Sequence, residues 1–221
     1  GDPYFNWPLT YVKDFTERLS IRKLAFVPYA AITFSFDEYA SIFQKAIKHL
    51  DIEVISVHKN KEAISQADAV AVGGGNTFAL LKRCYDNGLV DEIRNQVEGG
   101  KPYMGWSAGA NLACPYLCTS NDMPIAEPPS FKALNLVPFQ INPHYTDKTI
   151  EGHGGEPRDT RLTEYITYNQ NMEVAAIPEG SLLEVEGDSI AFKGIGPMKR
   201  FKCNQPVSEY NEGDDVSFLL K

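Results

Sequence analysis

AVAVGGGNTFALLKRCYDNGLVDEIRNQVEGGKPYMGWSAGAN, residues 69–111, is the stretch whose reading decides the fold. It opens on Ala69, Val70, Ala71 and Val72, a short apolar run that fits a strand buried on both faces. Gly73-Gly74-Gly75-Asn76-Thr77 follows, and a helical segment over residues 78–85 meets the stop signal Asn87-Gly88. A further helix covers residues 90–97 and ends at Gly99-Gly100. Residues 101–106 read as another strand, which turns abruptly at Ser107. Strand, helix and strand in this succession imply a parallel sheet with helices on both faces.

The alternation continues upstream. Residues 23–28 (KLAFVP) read as a buried strand, and residues 36–50 as a helix. In that helix Tyr39, Ile42, Phe43, Ala46, Ile47 and Leu50 recur with the 3.6-residue period of one apolar face. A strand at residues 52–57 and a short helix at residues 61–67 complete this half. From about Glu173 the texture changes to short strand candidates at residues 174–178, 182–185, 189–192 and 198–203, separated by glycine-containing turns. They are expected as an antiparallel C-terminal extension of the same sheet. The fold class is therefore α/β, a three-layer sandwich around a mostly parallel sheet, with residues 1–221 forming a single domain.

Bulk properties narrow the function classes. At 221 residues the chain can bury a substantial core, and its 43% hydrophobic and 23% charged content excludes disordered and collagen-like classes. The longest apolar stretch, residues 25–34, is broken by Pro28 and is far shorter than the roughly 20 residues of a membrane helix. The opening GDPYFNWP has no basic start leading into a greasy segment, so no signal peptide is expected. A formal charge of −8 without any basic cluster disfavours nucleic acid and anionic membranes as partners. Cys84, Cys114, Cys118 and Cys203 are too few for a disulfide scaffold, and no second Cys/His pair completes a zinc site. Reduced thiols, a cytoplasmic location and no metal are the expectation.

Gly105-Trp106-Ser107-Ala108-Gly109 fits G-x-S-x-G with a buried strand before it and a small-residue helix start after it. A nucleophile on such a turn needs small neighbours to avoid clashes, and the turn lifts its hydroxyl above the sheet. The helix start also aims free N–H groups at a developing oxyanion. A serine needs a base. His49 lies on a helix near a solvated face, and His58 ends a strand before a charged loop. His144, directly after the apolar segment around Leu136, Val137, Phe139 and Ile141, is preferred, with His153 as runner-up. Asp122 and Glu179 both stand at positions from which a carboxylate can orient the imidazole. The glycine-rich loop lacks the pattern of a phosphate site, and Gly75 or Asn76 can instead supply an oxyanion N–H.

Five ordered segments, GGGNTF (residues 73–78), GWSAGAN (105–111), SNDMPI (120–125), FQINPHY (139–145) and IPEG (177–180), together resemble peptidase E, the α-aspartyl dipeptidases. The resemblance covers nearly the whole chain. It implies a fold distantly similar to glutamine-amidotransferase-like proteins and hydrolysis of dipeptides and amides with an N-terminal aspartate, without metal or cofactor. By motif it implies Ser107 as nucleophile, His144 as base, Gly75 and Ala108 as oxyanion donors, and an acid drawn from Asp122 and Glu179. The strand-end position favours Glu179 against the imidazole, which leaves Asp122 as a support or an amine contact. The resemblance also implies that Arg158 takes the substrate β-carboxylate, a charge too costly to leave unpaired in a pocket, and its forked guanidinium suits that role. Asn76 is placed among the substrate contacts, and Asp122 or Glu156 are acceptors for the substrate ammonium. Relatives usually open with a further strand ahead of the segment that starts here at Gly1.

The expected partner is thus a small peptide with an N-terminal aspartate, with a homodimer kept as an assembly option. Two rivals remain. One is a related α/β serine hydrolase or esterase of different specificity, which shares the turn at Ser107 but not the Arg158 pocket. The other is a non-catalytic ligand-binding relative, which does not need the Ser/His/acid set.

Overall fold

Alternation along the strands of the first sheet explains its two covered faces. The computed structural model describes residues 8–148 and 154–221. In it β1 (Lys23–Val27), β2 (Glu53–Ser56), β3 (Ala69–Val72) and β4 (Tyr103–Gly105) form an all-parallel sheet in the order β2-β1-β3-β4. Leu24, Phe26, Ala69 and Ala71 face α1 (Leu9–Arg18) and α2 (Phe36–Ala46). Ala25, Val27, Val70 and Val72 face the opposite layer of α3 (Ala63–Gln66), α4 (Thr77–Asp86), α5 (Leu89–Glu98) and α6 (Ala108–Ala113). A strand with helices on both sides has no polar face, which is why Ala69–Val72 is apolar throughout.

α2 begins with a capping box: Ser35 Oγ accepts from Glu38 N at 3.1 Å, and Ser35 N donates to the Glu38 carboxylate at 2.8 Å. It stops at Ala46, short of the residue 50 expected from the periodicity, and the chain tightens into a 3-10 turn at Lys48–Leu50. Ile42, counted on the apolar face, is exposed, whereas Tyr39, Phe43 and Ile47 are buried against Phe26. α1, for which the sequence reading had no element, buries Val12 on the same side.

The C-terminal half supplies the antiparallel strands. β5 (Gln140–Tyr145), β6 (Glu173–Pro178), β9 (Met198–Lys202) and β10 (Ser208–Tyr210) are ordered β10-β9-β6-β5, with β5 and β6 parallel and the rest antiparallel. β7 (Ser181–Glu186) and β8 (Ser189–Gly194) form a separate hairpin. α7 (Arg158–Tyr168) covers one face of this sheet through Leu162 and Ile166.

The extension differs from the expectation of one continuous sheet, because no ladder joins β4 to β5. The reason lies in the edge groups of β5. Ile141 N donates to Cys114 Sγ at 3.2 Å, and Ile141 O accepts from Asn111 Nδ2 and Thr119 Oγ1, each at 2.8 Å. Side chains thus satisfy the edge that a strand would otherwise pair. α6 packs against β3, β4 and β5 and closes the seam between the two sheets. No helix among the described residues is long and apolar enough to cross a membrane.

Candidate active site

At this seam sits Ser107, between the end of β4 and the start of α6. Its backbone is held at φ 53° and ψ −112°, a conformation L-residues avoid. Two close approaches enforce the turn. A Cβ on Gly109 would lie 2.3 Å from Val72 O, so only glycine lets α6 press onto β3 there. A Cβ on Gly74 would lie 3.0 Å from that of Ser107, which puts the glycine-rich loop directly beside the serine. Gly75 has φ +134°, and its Cβ position is 2.3 Å from Ala30 O, so no side chain fits. Among the described residues neither Gly75 N nor Ala108 N donates a hydrogen bond to the protein.

His144 is the one exposed residue of β5, whose burial is otherwise complete. Its φ of 54° and the register shift between Asn142 and Tyr145 mark a bulge in the β5–β6 pairing. Pro143 suits this bulge because it has no N–H to give to a ladder. A bulge re-aims a side chain. The ring is turned so that Nδ1 meets Glu179 Oε2, on the turn between β6 and β7. The pair is open to solvent, with side-chain exposures of 44% for His144 and 62% for Glu179. Among the described residues no hydrogen bond joins Ser107 Oγ to His144; the link between their elements is Asn111, one helical turn after Ser107, on the carbonyl of Ile141.

Asp122 is placed elsewhere. Its Oδ2 accepts from Thr77 N at 2.7 Å and from the Thr77 hydroxyl, so it anchors the first turn of α4 instead of an imidazole. A carboxylate is favoured there, where free N–H groups converge. Asn76 is likewise occupied within the protein. Its N donates to Ala30 O and its Nδ2 to Met123 O, both at 2.9 Å, while Oδ1 caps α4 through Ala79 N at 3.0 Å. Asn76, expected as a substrate contact, thus also caps α4 and ties the loop to Ala30. Thr119, Asn121 and Asn142 stitch the segment before Asp122 to β5: Asn121 Nδ2 donates to Pro143 O, and Asn142 Nδ2 to Thr119 O, both at 2.8 Å.

Arg158 opens α7 with its guanidinium half-buried. Nη1 donates to Asn142 Oδ1 at 3.2 Å, and among the described residues no carboxylate pairs with it. Burial, and then the nearby Arg161 charge, hold its pKa below the ordinary value. Glu156 is exposed just ahead of the helix. His49 is exposed, and His58 is held between Ser56 Oγ at 2.6 Å and Asp37 Oδ1 at 3.1 Å. His153 lies outside the described residues.

The sequence model of Peptidase family S51 matches residues 1–193. The chain belongs to peptidase family S51. Membership makes it a serine peptidase of the peptidase E kind, a hydrolase. It is 43% identical over 224 residues to Peptidase E of Nostoc sp. strain PCC 7120, spanning 100% of this chain and 92% of that one. It is 47% identical to Peptidase E of Actinobacillus pleuropneumoniae serotype 7, over 86% of this chain and 83% of the relative. The fold matches a crystal structure of a peptidase from an acI-B1 Actinobacterium with a TM-score of 0.73 at 16% identity, over 99% and 94% of the two chains. A putative peptidase E protein from Listeria monocytogenes EGD-e gives 0.66 at 22% identity, over 87% and 95%.

For this family S51 chain the sequence reading passed over the residues that hold the site together. Asn111 ends the GWSAGAN motif four residues after Ser107, and Thr77 ends the GGGNT run. The available signal was their polarity at positions the helix periodicity assigns to the interior; both are buried. A buried amide or hydroxyl must find a partner, so each marks a cross-link between elements.

Proposed function

We propose that this peptidase is an exopeptidase that cleaves the bond after an N-terminal aspartate through an acyl-enzyme on Ser107. The observation that carries the reading is the strained Ser107 turn, set against the glycine-rich loop and joined through α6 to the strand that bears His144. Strain of this kind persists only where packing over-determines it, and nucleophiles are where it is put to use.

In the proposed reaction Ser107 Oγ attacks the aspartyl carbonyl carbon and its proton passes to His144 Nε2. Glu179, on Nδ1, fixes the tautomer and stabilises the imidazolium. The Ser107–His144 hydrogen bond forms on substrate binding, since such bonds tighten in the Michaelis complex. Gly75 N and Ala108 N, which have no partner among the described residues, take the oxyanion. His144 then protonates the leaving amine, the C–N bond breaks, and water, deprotonated by the same imidazole, releases aspartate. No step requires a cofactor. Arg158 takes the β-carboxylate, for which its half-buried guanidinium, without a carboxylate partner among the described residues, is suited. Glu156 is the acceptor we assign to the substrate ammonium, because Asp122 is engaged by Thr77. The four cysteines are free, which supports a reducing, cytosolic setting.

The test compares Asp-p-nitroanilide with its Glu, Asn and Leu analogues, for the wild type and Ser107→Ala. The expected result is selective cleavage of the Asp substrate and a loss of roughly 10³-fold or more in Ser107→Ala. Equal rates on all four substrates would remove the aspartate assignment, and unchanged turnover in Ser107→Ala would remove the nucleophile.

A further inference from the structure

Arg158 is a long side chain at the first position of a helix, and little around it fixes the direction in which it points. The N-cap position is Pro157, which makes no side-chain cap, and among the described residues the guanidinium has only the 3.2 Å bond to the neutral Asn142 amide. The buried contacts of α7, Leu162 and Ile166, begin a full turn later. Such a helix start frays unless something ties it down.

The tie is at the next residue. Asp159 Oδ1 accepts from the hydroxyl of Tyr145, and Asp159 Oδ2 lies 3.7 Å from Lys199 Nζ. Tyr145 is buried at 6% exposure on β5, adjacent to His144, and Lys199 comes from β9. Lys199 stands 5.3 Å from the centre of the Tyr145 ring, and its ammonium also meets Asp147 at 3.5 Å and Glu209 at 3.8 Å. Burial first, and then the hydrogen bond to Asp159, push the Tyr145 phenol up to about 12, so it stays a donor at neutral pH. Consecutive residues of a helix differ by about 100° around its axis, so pinning residue 159 sets the angle at which residue 158 leaves. An anchor from two strands holds that angle against the sheet that carries the base.

We propose that Tyr145, Asp159 and Lys199 are positioning residues that set the orientation of Arg158, and that aspartate selectivity depends on this clamp. The proposal rests on the reading that Arg158 takes the substrate carboxylate. It concerns residues that touch no substrate themselves.

The experiment measures kcat and KM for Asp- and Asn-p-nitroanilide in the wild type, Arg158→Met, Asp159→Asn, Tyr145→Phe and the double variant Arg158→Met/Asp159→Asn. Tyr145→Phe keeps the ring in its packing and guards against a folding defect. Asp159→Asn and Tyr145→Phe are each expected to raise KM for the Asp substrate about tenfold, a share of what one charge-assisted hydrogen bond carries. Their kcat is expected to stay within about twofold, and values for the Asn substrate to stay unchanged, since a uniform binding contact alone is weakened. In the Arg158→Met background Asp159→Asn is expected to add nothing to the Asp-to-Asn ratio. A purely structural role would instead lower both substrates together in either background, which overturns the proposal. If Arg158→Met collapses the ratio while Asp159→Asn and Tyr145→Phe leave it intact, the clamp fails and the Arg158 pocket stands. If Arg158→Met itself changes nothing, the pocket fails and the clamp with it.

Discussion

Adding one methyl group at Gly109 tests whether the seam between the sheets is what holds the nucleophile. Gly109 lies inside α6, where alanine is ordinarily better than glycine by about 1 kcal/mol. Here the new Cβ would stand 2.3 Å from Val72 O, 3.0 Å from Val72 C and 3.2 Å from Val72 Cβ. Real Cβ contacts essentially never fall under 3.0 Å, so α6 must move away from β3 by about 0.7 Å. Overpacking of this kind costs about 1–3 kcal/mol, and a backbone obstacle belongs to the upper part of that range. Net of the helix gain, Gly109→Ala is expected to lose about 1–2 kcal/mol. For a chain of 221 residues this lowers the Tm by roughly 2–8 °C. The rate falls for a separate reason. Ser107 is two residues from the obstruction, and a displacement approaching 1 Å at a reacting group costs on the order of 10²-fold, so a drop in kcat of about 30-fold is expected. Thermal unfolding by circular dichroism and steady-state hydrolysis of Asp-p-nitroanilide measure the two effects. A variant as stable and as active as the wild type would show that α6 is not pressed against Val72, and the account of the turn would fail.

Glu179→Gln is expected to lower kcat by about 100-fold, less than the roughly 10⁴-fold of a fully buried triad acid, because Glu179 is 62% exposed; a change below threefold in steady-state assays would remove it from the site. Thr77→Val removes the hydroxyl bond to Asp122 and Asp122→Asn removes the charge that strengthens it, so a double-mutant cycle read by chemical denaturation is expected to give about 1–2 kcal/mol of coupling. Strictly additive losses would refute that contact. Asp68 accepts from Arg22 N and Lys23 N, each at 2.8 Å, and these bonds hold its carboxyl below the ordinary 3.8. A depressed carboxyl contributes stability that is full above its unfolded pKa and is lost as pH falls through the folded one. Asp68→Asn is therefore expected to lower the Tm near pH 7, with the difference shrinking as pH falls below the ordinary carboxyl value of 3.8; a constant difference through the acid range would contradict the assignment.

Much of the architecture was legible because it depends on local pattern. The four residues of β3 were read with their observed ends, since an uninterrupted apolar run bounded by Asp68 and glycine has few other interpretations. The helices at Thr77–Asp86 and Leu89–Glu98 came within a residue of their expected ends for the same reason, with Asn87 and Gly88 separating them. Two features were not legible. α1 carries a stripe of Leu9, Val12, Phe15 and Thr16, but only Val12 and Thr16 are buried and no side-chain cap marks its start. The break between β4 and β5 depends on Asn111, Cys114 and Thr119 reaching Ile141, a contact between residues 22–30 positions apart in the chain.

The sequence by itself determined the alternating strands and helices, the sharp serine turn and a short roster of candidate residues, because periodicity, glycine placement and side-chain chemistry are properties of neighbours. The tertiary structure decided how the two carboxylates are held, one against the imidazole and the other at a helix start. The strand-end position already favours Glu179 over Asp122, and the structure adds the cause: the bulge at His144 turns the ring toward the β6–β7 turn, while Thr77 draws Asp122 to a helix start. Direction in space is set by how distant segments pack, and sequence spacing carries none of it.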